Sequence, residues 1–444
     1  MSSGTKEPDP WELLRSLPMG RRVRITGADG QEWEGTLVPS HELLGARIVQ
    51  LKLESGYNIG VRVDPSAQLH VLPSDEPPAA EPGPDTNGEP KTSGSAARGA
   101  DPVHLLTTGG TIASRVDYRT GGVRPVHDER GILAFFPDLE EGGPVHVVPV
   151  FDRLSEEIAP DDWSVLAGRV VEAFHQGAPG VVVAHGTDTL AYSAAALSFL
   201  LRDLPGPVVV VGAQRSPDRP SSDGFGNMTA AVRVARRGAL SEVVVLMHEG
   251  LSDDRFAIHR ATRVRKMHSS RRDAFQSRNG PALGWVEGDA IILTEPVRPR
   301  SLSSPRVEGR FDPRGALLWS HPGLTPERAE RFVEGLRGVI LAGTGLGHVS
   351  SVHLPWIRRA VAEGKVVLMT TQCLEGSVDP YVYATGRELL RAGVLYGGDL
   401  LPETAYVKLL WALGMSDQAH EVGRLLLEDR AGEFEPRHPP GAGA

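Results

Sequence analysis

The sequence predicts an α/β protein with two α/β domains and a small SH3-like β-barrel in front of them. Three observations support this fold. Short apolar runs alternate with amphipathic stretches from residue 103 onward, which is typical of a parallel sheet covered by helices on both faces. Short alternating segments fill residues 20–72, and a stretch rich in proline and glycine separates the two regions. The length of 444 residues is sufficient for several separate cores.

The N-terminal region, residues 18–73, is predicted to form the β-barrel. Its strands are short and alternate between apolar and polar residues, and Ala28-Asp29-Gly30 supplies a turn between the first two. An interaction or spacing role is the ordinary interpretation of such a module. The strands are expected at residues 22–25, 33–38, 48–53 and 61–63, with turn residues at 55–58.

Residues 74–101 are predicted to be a flexible linker. They are dense in Pro, Gly, Ser and acidic residues. Such a segment buries too little apolar surface to offset the entropy lost on ordering.

Residues 102–300 are predicted to form the large α/β domain with the catalytic residues, and residues 310–432 the smaller one. Residues 433–444 are expected to be a frayed tail. In the large domain, strands are expected at 103–107, 145–150, 180–184, 208–211, 243–247 and 290–294, and helices at 163–175, 191–202 and 228–237. In the small domain, elements are expected at 316–319, 326–335, 339–342, 355–363, 366–370, 387–392 and 404–413.

Composition excludes several classes of protein. A net charge of −9 argues against a broad nucleic-acid surface. No run approaches the roughly 20 apolar residues of a membrane helix, and no secretory signal precedes residue 10. Cys373 is the only cysteine, so an intrachain disulfide and a cysteine cluster for zinc are excluded. A cytoplasmic location is therefore expected, and the scattered histidines predict no metal site.

Two threonine-bearing turns follow predicted strands. The first reads TTGGT at residues 107–111, and the second reads HGTDT at residues 185–189. Thr111, Thr187 and Asp188 are expected at the carboxyl edge of the sheet, where ligands bind in open α/β folds. Hydroxyls and a carboxylate in this position indicate acyl transfer and, more narrowly, amide hydrolysis. Two alternatives stay open: a glycine turn that packs or binds phosphate, and helix N-capping by Thr187 or Asp188.

Lys266 lies in a basic run, residues 263–273. A lysine near other cations loses proton affinity and can act as a base toward a Thr hydroxyl. A solvated basic face is the common alternative for such a run.

The four blocks TTGGTIAS, AHGTDTLAYSAAALSFL, VVVVGAQRSPDRPSSDGFGN and RVRKMHSSRRDAF resemble the asparaginase/glutaminase family, over residues 103–414. The resemblance implies a two-domain asparaginase-like fold with Thr111 as nucleophile and Thr187, Asp188 and Lys266 as a supporting set. It also implies that Ser155 and Glu156 bind the substrate's α-carboxylate and α-amino groups. Many relatives have Gln in place of Glu156, so the amide preference is open.

Five further residues have less specific expectations. Tyr118 is the candidate for a loop tyrosine that assists Thr111. A backbone amide at Gly110 or Gly186 is the candidate for oxyanion stabilisation. His185 follows a buried strand and is expected to be a hydrogen-bonded core group. His348 lies in a glycine-containing turn, where a subunit contact or a neighbouring site is open, and neither histidine is predicted to be a site residue.

A second resemblance includes the N-terminal domain. Residues 33–36, WEGT, and 53–60, LESGYNIG, are similar to the family of D subunits of archaeal-type glutamyl-tRNA(Gln) amidotransferases, as are blocks at 116–121, 343–348, 371–374 and 401–408. The resemblance implies that the chain releases ammonia from an amide, and that a partner kinase/transferase, the E subunit, uses it to convert Glu-tRNA(Gln) to Gln-tRNA(Gln). It implies no cofactor in this chain, ATP and Mg on the partner, tRNA contacts mainly through the partner, and a homodimer.

Two other functions stay open on the sequence. One is a self-sufficient cytoplasmic L-asparaginase with an accessory β-barrel. The other is a non-catalytic α/β module that binds phosphate, which the lack of a P-loop signature and of a complete GxGxxG pattern disfavours. Glutamine and asparagine are both open as substrates, and either Thr111 or Thr187 is open as the first nucleophile.

Overall fold

The structure is a computed structural model of the chain. It describes residues 9–18, 20–38, 47–53, 58–72, 101–109, 114–116, 123–125, 136–140, 142–215 and 222–435. Thr111, Tyr118 and Gly110 lie outside the described residues, as do the predicted linker up to residue 100 and most of the predicted turn at 55–58.

The N-terminal unit is a small antiparallel sheet preceded by a short helix. Its elements are α1 Pro10–Ser16, β1 Arg22–Thr26, β2 Glu32–Val38, β3 Ile48–Lys52, β4 Asn58–Arg62 and β5 Gln68–Val71. The strands hydrogen-bond in the order β4-β3-β2-β1-β5. Val23, Ile25 and Leu37 are almost fully buried, because alternate residues of a strand point to one face. Leu14 of α1, a helix that the sequence analysis did not predict, packs into the same core.

A central eight-stranded sheet forms the large domain. Its strands and those beside it are β6 Val103–Thr107, β7 Ser114–Val116, β8 Val123–Pro125, β9 Val145–Pro149, β10 Val181–Ala184, β11 Leu201–Arg202, β12 Val208–Val211, β13 Val243–His248, β14 Arg255–Arg260, β15 Val264–Lys266, β16 Phe275–Ser277, β17 Gly284–Glu287, β18 Ala290–Leu293 and β19 Arg306–Val307. The helices are α2 Pro160–His175, α3 Leu190–Leu200 and α4 Gly224–Arg237. The sheet order is β18-β17-β14-β13-β12-β10-β6-β9.

The sheet is mixed rather than wholly parallel. Strands β9, β6, β10, β12 and β13 are parallel, as expected from the alternation of strands and helices. Strands β14, β17 and β18 extend the sheet in antiparallel pairing. The last two form a hairpin whose turn contains Gly288 at a φ of +52°. The expectation of a parallel sheet is therefore correct for five strands and wrong for this edge.

Helices cover both faces of the parallel part. On β10, Val181 and Val183 join the core that includes Leu197 of α3. Val182 and Ala184 join the core on the other face, which includes Val234 of α4. A strand buried on both faces is fixed in its position, and so is the turn that follows its carboxyl end.

The small domain is a four-stranded parallel sheet with helices. Its elements are β20 Gly315–Trp319, α5 Pro326–Phe332, β21 Gly338–Gly343, α6 Leu354–Ala362, β22 Val366–Thr371, α7 Ala384–Arg391, β23 Leu395–Tyr396, α8 Pro402–Met415 and α9 Ala419–Leu427. The sheet order is β20-β21-β22-β23. Helix α8 is buried almost all round, since it packs on α3 of the large domain and on β20 and β21. In the part of the chain that the structure describes, no helix combines the length and apolarity that crossing a membrane requires.

The segment after α9 is not a frayed tail over its first residues. Residues 429–435, here called the C-terminal strap, run back over the large domain. Glu433 is 1% exposed and pairs with Lys408 of α8. The expectation of a frayed tail from residue 433 is therefore wrong for residues 433–435. The sequence pattern places Glu433 in solvent, but the buried Lys408 binds its carboxylate inside the protein. Residues 436–444 lie outside the described residues.

Candidate active site

Two neighbouring parallel strands end together at one edge of the central sheet. β6 and β10 lie side by side, with Thr107 opposite Ala184 at their carboxyl ends. The N–H and the hydroxyl of Thr108 both donate to the Ala184 carbonyl oxygen at 3.1 Å. The two predicted threonine turns therefore leave the sheet at the same place. The role of Thr111, which lies beyond the described start of the first turn, stays a prediction.

Two glycines allow the segment after β9 to approach both turns. Gly109 has a φ of +95°, and a Cβ there would lie 2.4 Å from the Arg153 carbonyl oxygen. A Cβ at Gly186 would lie 2.7 Å from the Ser155 Cβ. Glycine is therefore required at both positions for the turns to meet this segment.

Lys266 contacts both polar residues of the second turn. Its Nζ donates to Thr187 Oγ1 at 2.8 Å and to Asp188 Oδ1 at 2.7 Å. The Lys266 side chain is 14% exposed and the Asp188 side chain is 69% exposed. The structure thus brings together three predicted site residues from two distant parts of the chain. A lysine held against a hydroxyl and a carboxylate can transfer protons to and from that hydroxyl once it is neutral.

The N-capping interpretation of Thr187 and Asp188 is wrong. Helix α3 begins at Leu190, and the residue at its N-cap position is Thr189. The Thr189 hydroxyl donates to the Ser155 carbonyl oxygen at 2.6 Å. The side chains of Thr187 and Asp188 instead point to Lys266, so they are free of a capping role.

The predicted substrate-binding pair lies beside the second turn. Ser155 and Glu156 belong to a short 3-10 helix, Ser155–Glu157. Ser155 is buried against Gly186, whereas Glu156 is exposed to solvent. Ser155 is thus placed at the candidate site, and the substrate contacts of both residues stay predictions. The same holds for Tyr118, which lies outside the described residues.

A polar network behind Thr187 was missed by the sequence analysis. Gly212 approaches the threonine so closely that a Cβ there would lie 2.8 Å from Thr187 Cγ2. The Asn227 amide donates to the Gly212 carbonyl oxygen at 2.9 Å and to the Asp223 carboxylate at 3.2 Å. Asp223 and Asn227 lie within the third sequence block, four residues apart on one face of the helix start, which is a signal that could have identified them.

The network continues to the protein surface through His248. Its Nδ1 lies 2.7 Å from Asn227 Oδ1, and its Nε2 lies 2.8 Å from Asp253 Oδ1. Arg272 also binds the Asp253 carboxylate, at 2.8 Å. These contacts connect the turn behind Thr187 with the basic run that contains Lys266.

The two histidines singled out in the sequence lie in different environments. His185 is fully buried, its Nδ1 lies 2.8 Å from the Gly186 carbonyl oxygen, and burial lowers its pKa to about 4. It is therefore neutral at physiological pH, in agreement with a core role. His348 lies in the small domain, with its ring edge-on to Tyr383 at 5.1 Å between centroids. Among the residues that the structure describes, no group of three or more His, Cys, Asp or Glu side chains is arranged to hold a metal ion.

Three family models match consecutive parts of the chain. The model described as GatD N-terminal domain matches residues 17–72, that of Asparaginase, N-terminal matches 102–298, and that of the Glutaminase/Asparaginase C-terminal domain matches 316–426. Together with the Thr187, Asp188 and Lys266 set at the strand ends, these matches define an asparaginase-type amidohydrolase with an added N-terminal domain.

Relatives match nearly the whole chain. The D subunit of the glutamyl-tRNA(Gln) amidotransferase of Pyrococcus abyssi is 43% identical over 428 residues, which are 95% of this chain and 96% of the relative. This chain therefore belongs to the family of glutamyl-tRNA(Gln) amidotransferase D subunits. The D subunit of Saccharolobus islandicus agrees, with 42% identity over 435 residues and 96% of each chain.

Solved structures match the two α/β domains. The thermostable L-asparaginase from Thermococcus kodakarensis is 33% identical with a TM-score of 0.70, and the match covers 76% of this chain and 100% of that one. L-asparaginase I from Vibrio cholerae is 28% identical with a TM-score of 0.66 and the same coverage. The two-domain asparaginase-like fold expected from the sequence is confirmed.

Proposed function

We propose that this chain is the amide-hydrolysing subunit of a glutamyl-tRNA(Gln) amidotransferase. It releases ammonia from the side-chain amide of glutamine or asparagine, and the ammonia serves the conversion of Glu-tRNA(Gln) to Gln-tRNA(Gln). The single observation that carries the proposal is the contact of the Lys266 ammonium with the Thr187 hydroxyl and the Asp188 carboxylate. That contact joins a hydroxyl, an amine that can act as a base once it is neutral, and an anion at the sheet edge where ligands bind.

The substrate is held by its amino-acid end. Ser155 and Glu156 are adjacent to the second turn, and the exposed Asp188 carboxylate has oxygen lone pairs left after it binds Lys266. A carboxylate so exposed can accept the substrate ammonium while it keeps the lysine in place. The side-chain amide then lies toward the two threonine turns.

The hydrolysis proceeds in two steps that share one acyl-enzyme. A Thr hydroxyl, with Thr111 preferred over Thr187, bonds to the carboxamide carbon, and a backbone N–H at Gly110 or Gly186 stabilises the oxyanion. The C–N bond breaks, and the amide nitrogen takes the hydroxyl proton and leaves as ammonia. Water then cleaves the ester, returns a proton to the threonine and releases the acid. Lys266 and Asp188 accept the proton of the Thr187 hydroxyl and return it.

The partner is a kinase/transferase, the E subunit of the amidotransferase. It holds ATP and Mg and contacts the tRNA, while this chain forms a homodimer and holds no cofactor. Two observations support a partner: the relatives are named as subunits, and residues 17–72 match the model described as GatD N-terminal domain. The same set of relatives and the single cysteine support a cytoplasmic location.

A self-sufficient L-asparaginase is the second candidate function. It is favoured by the match to the whole of the Thermococcus kodakarensis L-asparaginase. The D subunits of Pyrococcus abyssi and Saccharolobus islandicus match nearly the whole chain, the N-terminal domain included, so the amidotransferase is the better-supported function.

Ammonia release by the purified chain distinguishes these functions. We expect hydrolysis of glutamine or asparagine to rise when Glu-tRNA(Gln) and the partner are added, and Thr111→Ala to abolish it. Full turnover of asparagine by the chain alone, with no effect of partner or tRNA, would favour the L-asparaginase. Normal turnover by Thr111→Ala would refute the assignment of the nucleophile.

A further inference from the structure

We propose that Arg263 is a positioning residue for Lys266, and that the C-terminal strap forms part of the anchor that holds this lysine at the site. The inference deepens the proposed function and rests on it. It follows from the weakness of the strand that carries Lys266 and from the contacts that compensate for it.

The strand that carries Lys266 has little support of its own. β15 contains three residues and, within the described part of the chain, pairs with the three residues of β16 in a separate two-stranded sheet. It is not part of the central eight-stranded sheet that fixes Thr187 and Asp188. A two-stranded ribbon is only marginally stable by itself, so contacts outside the ribbon, which include the burial of Val264 and Phe275 in the core, must hold Lys266 at hydrogen-bonding distance from the turn.

Arg263 supplies such contacts three residues before the lysine. Its side chain is 6% exposed, and its Nη2 pairs with the Asp399 carboxylate at 2.9 Å. Nη1 donates to the Asn279 carbonyl oxygen at 3.0 Å, and Nε donates to the Gly432 carbonyl oxygen at 2.9 Å. The planar guanidinium is thus fixed along three directions. Asp399 belongs to the small domain and Gly432 to the strap, so one side chain joins both to the Lys266 segment.

The residues beside Arg263 are anchored in the same way. The Thr262 hydroxyl donates to the Ala431 carbonyl oxygen of the strap at 3.1 Å. The Thr262 carbonyl oxygen in turn accepts the Thr404 hydroxyl at 2.9 Å. Arg265 pairs with Glu403 at 2.9 Å, at the start of α8. Three of the four residues before Lys266 therefore bind the small domain or the strap.

The strap has a buried attachment of its own. The side chains of Lys408 and Glu433 are both 0% exposed, and their Nζ and Oε1 atoms lie 2.6 Å apart. The Glu433 carboxylate also accepts the N–H of Ala431 at 2.6 Å. The Glu435 N–H donates to Asp399, the carboxylate that Arg263 binds. The strap, the small domain and Arg263 thus form one connected anchor.

The anchor matters because the lysine acts over a short distance. A displacement of about 1 Å in a catalytic group can reduce the rate by roughly 100-fold. Lys266 must reach Thr187 and Asp188 in the turn after a different strand, β10. In the described part of the chain, no hydrogen bond or ion pair of Ser155 or Glu156 goes to the anchor. Loss of the anchor is therefore expected to reduce kcat while KM changes little.

The test compares two arginines with similar surroundings in the full-length chain. Arg263→Lys removes the fork that binds Asp399, Gly432 and Asn279. Arg337→Lys is the matched control, since Arg337 also binds a carboxylate, that of Asp312, and two carbonyl oxygens, those of Leu413 and Ser416, all at 2.8 Å. Both variants remove contacts of the small domain, but only Arg263→Lys also removes contacts of the segment that carries Lys266.

We expect Arg263→Lys to lower kcat for amide hydrolysis by roughly 10- to 100-fold with KM within about twofold, and to change the pH profile of kcat. Arg337→Lys should leave both kcat and the profile close to the wild type. Asp399→Asn, which retains the side-chain volume and one carbonyl acceptor, serves as a second variant if Arg263→Lys does not fold, and it should lower kcat in the same direction.

Two outcomes separate failure of the inference from failure of the proposed function. If folded Arg263→Lys, or folded Asp399→Asn in its place, loses no more activity than Arg337→Lys and keeps the wild-type pH profile, Arg263 is only structural and the inference is overturned. If Lys266→Met itself retains hydrolysis, the proposed role of the lysine fails and the inference with it.

Discussion

The Lys266 ammonium donates a hydrogen bond of 2.8 Å to the Thr187 hydroxyl oxygen, across 79 residues of sequence. In this arrangement the threonine oxygen accepts, so its own proton is left for another acceptor. Before the lysine can remove that proton it must first lose one of its own, and the Asp188 carboxylate 2.7 Å away is the acceptor beside it. One lysine therefore contacts both the hydroxyl and the carboxylate, as the proposed proton transfer requires.

Replacing this lysine should remove activity without unfolding the protein. Lys266→Met keeps the aliphatic stem and removes the ammonium, so we expect amide hydrolysis to fall on the order of 10²- to 10⁴-fold. The measurement is ammonia release, with thermal unfolding recorded in parallel. Lys365→Met is the control, because Lys365 pairs with Glu363 at 2.8 Å on the small domain, away from the site. Equal losses in the two variants would contradict a catalytic role for Lys266.

The close approach of the second turn to Ser155 predicts a binding defect. Gly186→Ala places a Cβ 2.7 Å from the Ser155 Cβ, which forces the two segments apart. We expect KM for the amide to rise about tenfold or more, because Ser155 and its neighbour are the predicted contacts of the amino-acid end. Steady-state kinetics over a range of amide concentrations measures this change.

Gly168→Ala controls for the added methyl group. Gly168 lies in α2, and a Cβ there meets nothing within 4 Å. The variant should retain its KM and gain a little helix stability, of about 1 kcal/mol at most. An unchanged KM in Gly186→Ala would show that Ser155 does not contact the substrate.

The sequence predicted the central strands because each is a run of apolar residues buried on both faces. Val208–Val211, for example, consists of four valines, and such a short apolar run is typical of a strand buried in the interior. The three-residue strands β15 and β16 contain no such apolar run, and tertiary contacts determine that they form. Residues 433–435 of the strap were predicted to belong to a frayed tail. Glu433 is instead buried because it pairs with Lys408, which lies 25 residues earlier on α8.

The candidate site was predictable in part. Thr187 and Asp188 are adjacent in a turn after a buried strand. The rule that ligands bind at the carboxyl ends of strands in open α/β sheets identifies this turn as a candidate site. Lys266 was identified only by its resemblance to a family block, because a basic run by itself favours a solvated face. Arg263 and Arg265 in that same run are bound to Asp399 and Glu403 of the small domain. No spacing within the run reveals such long-range partners.

Two buried histidines predict a loss of stability in acid. Burial, with the charge of Arg278 adding to it, lowers the pKa of His259 to about 4, and burial lowers that of His185 to about 4. Both bind protons more weakly in the folded protein than in the unfolded chain, whose histidines titrate near 6.5. The contribution of the two neutral histidines to the free energy of unfolding is therefore fully present above about pH 6.5. It is lost as the pH drops toward 4, by up to about 3 kcal/mol per histidine.

His259→Gln should flatten this pH dependence. The glutamine has no proton to bind, so the free energy of unfolding should fall less between about pH 6.5 and 4 than in the wild type. Denaturant unfolding at several pH values measures the slope. His420→Gln provides the control for replacing an exposed histidine, and the change in slope is compared between the two variants. Parallel curves for His259→Gln and the wild type would contradict a buried neutral His259.

The buried pair of Lys408 and Glu433 predicts a strongly non-additive effect on stability. Each single variant, Lys408→Met or Glu433→Gln, leaves one buried charge without its partner, so each should lower the free energy of unfolding by about 3–5 kcal/mol. The double variant removes both charges and should cost clearly less than the sum of the two. Denaturant unfolding of all four proteins measures the coupling. Glu363→Gln, which removes the exposed partner of Lys365, should lower the free energy of unfolding far less than either of these variants. An equal loss from Glu363→Gln and Glu433→Gln would show that burial does not strengthen the pair of Lys408 and Glu433.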